Sequence, residues 1–547
     1  MTRDRSSRAL GFKFGLALTS ALVRPAFAGG PTPLSPAWFA ARTGSAGVAG
    51  SAGVGATLPQ MQQVQKSLAN LETAMKAVAA ANSAQASAAA AVSRSPAAPN
   101  GITIGGLQPA PGYSLPGNAA TWTNATLKPP AHSGGRTQVT VTQTAPVATL
   151  NWTTFNVGAA TSLIFDQSAG ASAASTWVAL NRVKDPSLQP SQILGSITAQ
   201  GHVFVINQNG IIFGAGSQVD VGSLLASTAD IATPLAGGIY AATPSFVSMS
   251  RGDVTVQAGA QIVTNAPVSV TDGGGGVLLF GRSVSNAGGI STPDGQTVLA
   301  AGQSFTLSQG FATNGDTLST TLGTVVSATG GGKTTNTGVI TATTGDITLF
   351  GDAVTQAGVL SSTSSVSTRG TIHLQNSTSH GTVTLAAGSL TQIAPDPSSG
   401  TALDSQRATA LSTLTGGSDN GSVAGALGPA TSRIEIDAGN TIEFQGGSLT
   451  VANGGQIVAT TGIVTGGAPT TTGRIQVDSG ATLDVSGLQN VSLPASMNAL
   501  LVNVQGFEQR DAPVNRDSKT LNSANVYVDA RQLILAPASA AYPADRY

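Results

Sequence analysis

The residues of this chain that could do chemistry are few, and their spacing suits no known reaction. Gly330-Gly331-Gly332-Lys333-Thr334 has the outline of a phosphate loop, in which glycine amides cradle the phosphate and the lysine neutralises it. The motif needs glycine at position 327, where Ser327 stands, and a helix after the lysine, which the following residues do not offer, so a turn is expected. His132, His202, His373 and His380 never reach zinc-ligand spacing and read as unrelated surface or strand residues. Asp and Glu are scattered, without a tandem G-G-x-G-x-D calcium repeat. No serine sits in G-x-S-x-G between a strand and a helix. The cysteine count of 0 removes thiolate zinc sites, cysteine nucleophiles and disulfides together. No enzyme, metal or cofactor is expected. Arg251-Gly252-Asp253 matches a tripeptide used by integrin ligands, but Val254-Thr255-Val256 starts a strand immediately after it. A turn before that strand is enough to explain it, and whether it binds anything stays open.

The composition favours scaffold over catalyst. Charged residues make up 9% and aromatics 4%, too little aromatic bulk for an ordinary large enzyme core. Yet 41% of residues are hydrophobic, enough to bury, so disorder throughout is not expected. Lys plus Arg equals Asp plus Glu at 25 each, leaving no basic field to attract nucleic acid.

At the N-terminus, Arg3, Arg5, Arg8 and Lys13 precede or interrupt the apolar stretch from Phe14 to Val23, which is too short to span a bilayer. It ends at Ala26-Phe27-Ala28, an A-x-A cleavage pattern, so residues 1–28 are expected to be a signal peptide. Residues 29–136 read as a flexible leader. Within it Met61, Val64, Leu68, Leu71, Met75 and Val78 follow a 3-4 spacing that predicts a helix over 60–92 after Pro59. The seam is too short for a coiled coil, so an amphipathic helix lying on the body of the protein is expected over an oligomerisation helix. The prolines of residues 94–135 predict a linker-like stretch.

From about Thr137 the pattern becomes strand, turn, strand. Gln138-Val139-Thr140-Val141-Thr142, Arg433-Ile434-Glu435-Ile436-Asp437 and Arg474-Ile475-Gln476-Val477-Asp478 alternate polar and apolar residues. Leu279-Phe280-Gly281 with Val284 recurs as Leu349-Phe350-Gly351 with Val354. Asn286-Ala287-Gly288-Gly289-Ile290, Asn336-Thr337-Gly338-Val339-Ile340 and Gln356-Ala357-Gly358-Val359-Leu360 share one template, the last two lying 20 residues apart. Such a spacing is one coil of a β-solenoid, in which inward aliphatics form ladders and Asn or Gln bonds along a turn. The expected fold is all-β, a right-handed parallel β-helix over about 137–490, with Val284, Ile290, Ile340, Val354 and Leu360 pointing inward.

Residues 138–231 resemble the secretion domain of filamentous haemagglutinin-type two-partner secretion exoproteins. The resemblance rests on ordered segments. Asn151-Trp152-Thr153-Thr154-Phe155-Asn156-Val157 is similar to the family's W-x-x-F-N-I, and Leu163-Ile164-Phe165-Asp166-Gln167 follows. Next come Ala179-Leu180-Asn181-Arg182-Val183 and Ser191-Gln192-Ile193-Leu194-Gly195. Val205-Ile206-Asn207-Gln208-Asn209-Gly210-Ile211-Ile212-Phe213-Gly214 is similar to V-N-P-N-G-I-x-F-G, with Gln208 where the family has proline. A second, C-terminal segment, Val504 to Asp517, is similar to one in the large members.

The resemblance implies export by an outer-membrane β-barrel transporter whose periplasmic domains recognise the secretion domain, and a location outside the cell or on its surface. Trp152, Phe155, Asn181, Arg182 and Asn207-Gln208-Asn209-Gly210-Ile211 are the expected secretion motif, with the last group turning the chain between two strands and presenting polar side chains at the corner. The expected organisation is a secretion domain over 137–260, a repeat shaft over 261–490 and an incomplete C-terminal segment over 491–547. The expected function is a secreted adhesin or haemagglutinin-like structural protein, its host or neighbouring-cell receptor or glycan open. The rivals are a β-helical polysaccharide lyase or hydrolase, which needs carboxylates gathered with Arg or Lys on one face, and the delivery portion of a truncated contact-dependent toxin.

Overall fold

In the computed structural model, residues 58–90, 98–111, 122–231, 246, 251–265, 275–309, 324–343, 345–364, 370–376, 378–395, 432–462, 473–487, 499–505 and 522–529 are described. The signal-peptide reading of residues 1–28 lies outside them.

The alternating segments form a parallel β-helix. One coil runs from His202–Asn207 on the first face, through Ile211–Phe213 on the second, to Gln218–Val221 on the third, and Ser223–Ser227 then returns to the first face. Each coil strand pairs in parallel with its counterparts in adjacent coils, and with four antiparallel strands at the first coil the sheets on the first, second and third faces hold 12, 9 and 13 strands. Period-2 alternation sends one set of side chains inside, where aliphatic residues of successive coils stack. Ile290 lies beside Ile340, and Ile340 beside Leu360. Val284, Ile290, Ile340, Val354 and Leu360 are all buried in one continuous core.

The polar part of the repeat stacks too. Asn286 donates to the Asn336 side-chain oxygen, and Asn336 to that of Gln356, both at 2.8 Å, and Gln356 continues to the Leu390 carbonyl at 3.0 Å. Burial away from bulk solvent makes these bonds count, since an unpaired buried amide costs about 1–3 kcal/mol.

The longer interval between the Leu279 and Leu349 repeats has a structural cause. Leu279 pairs with Leu299 in the next coil and Leu299 with Leu349 in the one after. Between these last two, Ser304–Gln309 and Thr324–Thr329 leave the coil as an antiparallel hairpin. It folds back on the first face, where Phe305, Leu307, Val326 and Ala328 cover outward-pointing Phe204, Leu225, Leu278, Phe280, Val298 and Phe350. Phe280 and Phe305 stack with ring centroids 5.0 Å apart.

The described parts of the proline-bearing stretch, 98–111 and 122–135, depart from the linker reading. Leu107–Pro109 and Trp122–Thr123 pair antiparallel with Val147–Phe155, and Ala125–Leu127 and Ala131–Ser133 with Arg136–Gln143. These strands close the edge of the first coil. Pro109 is accommodated beside a register shift on an edge strand, where a missing N–H is tolerated.

Helix α1 spans Leu58–Ala90. It lies on the outer surface of the third face, where Ala74, Ala77, Val78 and Ala81 meet Val339, Val359, Leu390 and Leu449. The heptad seam named Val78 of that stripe and none of the three alanines. Among the described residues no helix is long and apolar enough to cross a membrane.

Candidate secretion motif

The motif residues fall into two groups one strand apart. Trp152 and Phe155 lie on Val147–Phe155, and Asn181 and Arg182 on the neighbouring Val178–Val183. Inside the coil the Trp152 indole N–H donates to Asn181 Oδ1 at 3.0 Å, and Asn181 Nδ2 donates to the Ala179 and Phe204 carbonyls at 3.1 Å each. Trp152 also packs edge-on against Trp122 at 4.9 Å and Phe155 at 5.3 Å. Arg182 points the other way, its Nε 2.9 Å from Asp230 Oδ1 and its guanidinium also donating to the Ile231 carbonyl. These contacts assign Trp152, Phe155 and Asn181 to the interior and Arg182 to the outer side of the first face.

Asn207 to Gly210 turns the chain from the first face to the second. Gly210 N–H donates to the Asn207 carbonyl at 3.1 Å, closing a β-turn with Gln208 and Asn209 at its centre. Gly210 has φ +124°, and a Cβ there would meet the Asp253 carbonyl at 3.1 Å and Pro190 Cβ at 3.2 Å. Ile211 is buried and its N–H donates to the Asp253 carbonyl at 3.0 Å.

The expected display of polar side chains needs one correction. Asn207 is 1% exposed, its Oδ1 accepting from Asn209 N–H at 2.9 Å and its Nδ2 donating to Ser191 Oγ at 3.0 Å. It shapes the turn from within, as an Asx residue does. Gln208 and Asn209 are the half-exposed members.

Arg251-Gly252-Asp253 sits one coil above this corner. A Cβ on Gly252 would come within 2.4 Å of both Asn209 C and Gly210 N, so glycine is required for the coils to stack. Arg251 and Asp253 are exposed on either side of it, on a stacked corner and not a loop tip. Asn209, Gly210, Arg251, Asp253, Arg282 and Ser283 line a hollow of about 490 Å³. Among the described residues neither Arg251 nor Arg282 forms an ion pair with an acidic side chain.

Gln167, at the end of the Leu163-to-Gln167 segment, is a further internal tie. Its side chain donates to Gln143 Oε1 at 3.0 Å and accepts from Gly201 N–H at 2.6 Å.

Two histidines expected at the surface or on strands are buried. His202, 0% exposed, opens the strand that leads into the Asn207 turn, and burial pushes its pKa down to about 4. His373, 1% exposed, lies between two carboxylates on the outer side of the first face, Nε2 at 3.3 Å from Asp346 and Nδ1 at 3.1 Å from Glu435. Burial opposes its charge, but Asp346 first and Glu435 next outweigh that and raise the pKa to about 10. Thr371 and Thr348 donate to Asp346 at 2.6 and 2.7 Å, and Arg433 pairs with Glu435. Charges that look dispersed in sequence are thus gathered by stacking, but Asp346 is 0% exposed, and the cluster has the hydrogen bonding of a buried ionic ladder. Among the described residues no group of three or more His, Cys, Asp or Glu could hold a metal ion. Gly330 to Lys333 leads into the strand Lys333–Asn336, not into a helix.

The TPS secretion domain family model matches residues 116–392, just over half of the 547. The chain belongs to the two-partner secretion (TPS) exoproteins. As a member of that family it is a protein exported through the outer membrane to the cell surface or medium. It is 29% identical over 170 residues to a Heme/hemopexin-binding protein of Haemophilus influenzae, covering 31% of this chain and 18% of that protein. A second Haemophilus influenzae protein of the same name is 34% identical over 94 residues, covering 17% of this chain and 9% of the other. The chain thus matches less than a fifth of the length of these relatives. The crystal structure of the HMW1 secretion domain from Haemophilus influenzae covers 67% of this chain and 83% of its own, with 19% identity and a TM-score of 0.42.

Proposed function

We propose that this TPS exoprotein is a surface adhesin of the haemagglutinin-like kind, and that the corner Asn207 to Ile211 is the part of its secretion domain that the transporter's periplasmic domains read. The observation that carries the second half is the hollow beside the corner, where half-exposed Asn209 meets the exposed Arg251 and Arg282. Trp152, Phe155, Asn181 and Asn207 serve this surface from beneath by fixing the strands that support it. The adhesive reading rests on the architecture: a long stack of coils displays surface, and its gathered charges are buried in ion pairs. Heme and hemopexin belong to the relatives' name, and the aligned stretch supports export for this chain, not their ligands.

The export half is tested by Asn209→Ala combined with Arg251→Ala, which alters the hollow and leaves the buried turn bonds of Asn207 in place. Export, measured as protein outside the cell, falls several-fold while signal-peptide cleavage and the thermal midpoint of the purified chain stay unchanged. Normal export of this variant, with loss for Gly210→Val, assigns the corner to folding alone. The adhesive half is tested by comparing attachment to host or neighbouring cells of bacteria with and without the protein; equal attachment rejects it.

A further inference from the structure

Helix α1 is encoded before every coil, yet it rests on coils formed far later in the chain. Asn70 Nδ2 donates to Asp484 Oδ2 at 2.9 Å, at the last described coil. Towards its other end, Gln85 Nε2 donates to the Ala287 carbonyl at 2.6 Å and Gln85 Oε1 accepts from Gly259 N–H at 2.8 Å. Between these ends, Ala74, 0% exposed, seats on the outward column Val339, Val359 and Leu390, with Ala77, Val78 and Ala81 beside it. The fit is close at Gly259, where φ is +85° and a Cβ would come 2.6 Å from Ala89 N.

The dimensions agree with a helix laid along the stack. Asn70 to Gln85 is a rise of about 22 Å at ~1.5 Å per residue. The third-face strands from Gly289–Ser291 to Thr482–Asp484 are successive neighbours in one sheet, separated by five spacings of ~4.8 Å, about 24 Å in all. Asn70, Ala74, Ala77, Ala81 and Gln85 follow 4-3-4-4 spacing, a single stripe of a straight helix. Small side chains on that stripe let the helix backbone approach a flat sheet.

We propose that α1 is a latch that closes last: it docks only after the coil containing Asp484 has formed, and it then joins the coils from Gly259 to Asp484 into one cooperative unit. The physical reason is that the full seat, from Gly259 to Asp484, does not exist earlier. The column Val339, Val359 and Leu390 is assembled from separate coils, and Asp484 supplies the far anchor. A bare solenoid is held by contacts between adjacent coils, so its end can fray one coil at a time. A helix that touches many coils at once removes that freedom. For an exported chain this order keeps the leader free until the shaft is built. The inference does not depend on the adhesive or transporter-recognition readings.

Hydrogen exchange on the full exported chain tests the coupling. Ala74→Glu with Ala81→Glu places two charges against the apolar column and should raise exchange in the coils from Gly259 to Asp484 at least tenfold, leaving Val147 to Ser227 unchanged. Gln85→Ala, a milder change, should act in the same direction. Unchanged exchange in both regions, or an equal rise in both, overturns the proposal. Order is tested in refolding, using the absence of native cysteine. Asn70→Cys with Asp484→Cys in a Trp38→Phe background, joined by a short bismaleimide, should become linkable only after the fluorescence of Trp122, Trp152 and Trp177 reports the first coils. Linkage before or together with that signal overturns the order.

Discussion

Trp152 and Asn181 are joined across neighbouring strands by a 3.0 Å hydrogen bond inside the first coils, and Asn181 also serves the Ala179 and Phe204 carbonyls. Replacing Asn181 with leucine keeps the volume roughly constant and leaves three buried groups without this partner. The two carbonyls lie on paired strands, but the indole N–H loses its acceptor, so Asn181→Leu should lower stability by about 1–3 kcal/mol in denaturant unfolding. A double cycle with Trp152→Phe should show coupling, since both changes break the same bond.

The two buried histidines make stability depend on pH in opposite directions. His373 is raised to about 10, so the folded chain binds its proton more tightly than the unfolded chain does. Its contribution is full below the unfolded value of about 6.5 and is lost as pH rises towards 10. His202 is lowered to about 4 by burial, so the unfolded chain binds the proton more readily. Its contribution is full above about 6.5 and is lost as pH falls towards 4. Region-resolved hydrogen exchange should therefore show the coils around His202 loosening in acid and those around His373 loosening in alkali. His202→Phe should remove the acid loss, and His373→Gln the alkaline one.

Much of this architecture was legible because its signals are local. Val284, Ile290, Ile340, Val354 and Leu360 announce their inward direction by alternation, and Asn286, Asn336 and Gln356 announce one repeated corner. The gathering of Asp346, His373 and Glu435 was not legible. Asp346 pairs in register with Thr371, and Thr371 with Arg433, across intervals unlike the 20-residue coil, so no fixed period joins them. The capping strands before Arg136 were hidden by their prolines, which an edge strand accepts and a central strand does not. Over Ala74 to Ala81 the helix meets the sheet through three alanines beside Val78, small residues that a flat sheet selects and that a heptad pattern of large residues does not search for. Within the motif, residue types identified the Asn207 corner, but only the stacked neighbour coil explains why Asn207 is internal and Gly252 indispensable.

Gln208 occupies the second position of the turn that Gly210 N–H closes on the Asn207 carbonyl at 3.1 Å. Asn at the first position, Gly at the fourth and proline at the second suit a type I turn. Proline is what the resembling family carries at this site. Gln208→Pro should therefore be accepted, raising stability by about 0.4–1 kcal/mol through a restricted unfolded chain. A higher denaturation midpoint with unchanged m-value checks it; a fall of 1 kcal/mol or more would show that the Gln208 backbone is incompatible with the ring.

Gly252 separates packing from any adhesive use of Arg251-Gly252-Asp253. A Cβ at position 252 would lie 2.4 Å from the Asn209 and Gly210 backbone, and the Gly252 carbonyl accepts from Arg282 N–H at 2.9 Å, so neither neighbouring coil can yield easily. Gly252→Ala should then destabilise by ~1–3 kcal/mol, as overpacking does. Arg251→Ala removes an exposed side chain and should shift stability by no more than ~0.5 kcal/mol. Cell attachment of the two purified variants, each assayed well below its unfolding midpoint, distinguishes the roles. If attachment falls with Arg251→Ala and holds with Gly252→Ala, the tripeptide's cation contributes to binding. If attachment holds with both, the three residues are there to let one coil sit on the next, and the glycine is the member the fold cannot replace.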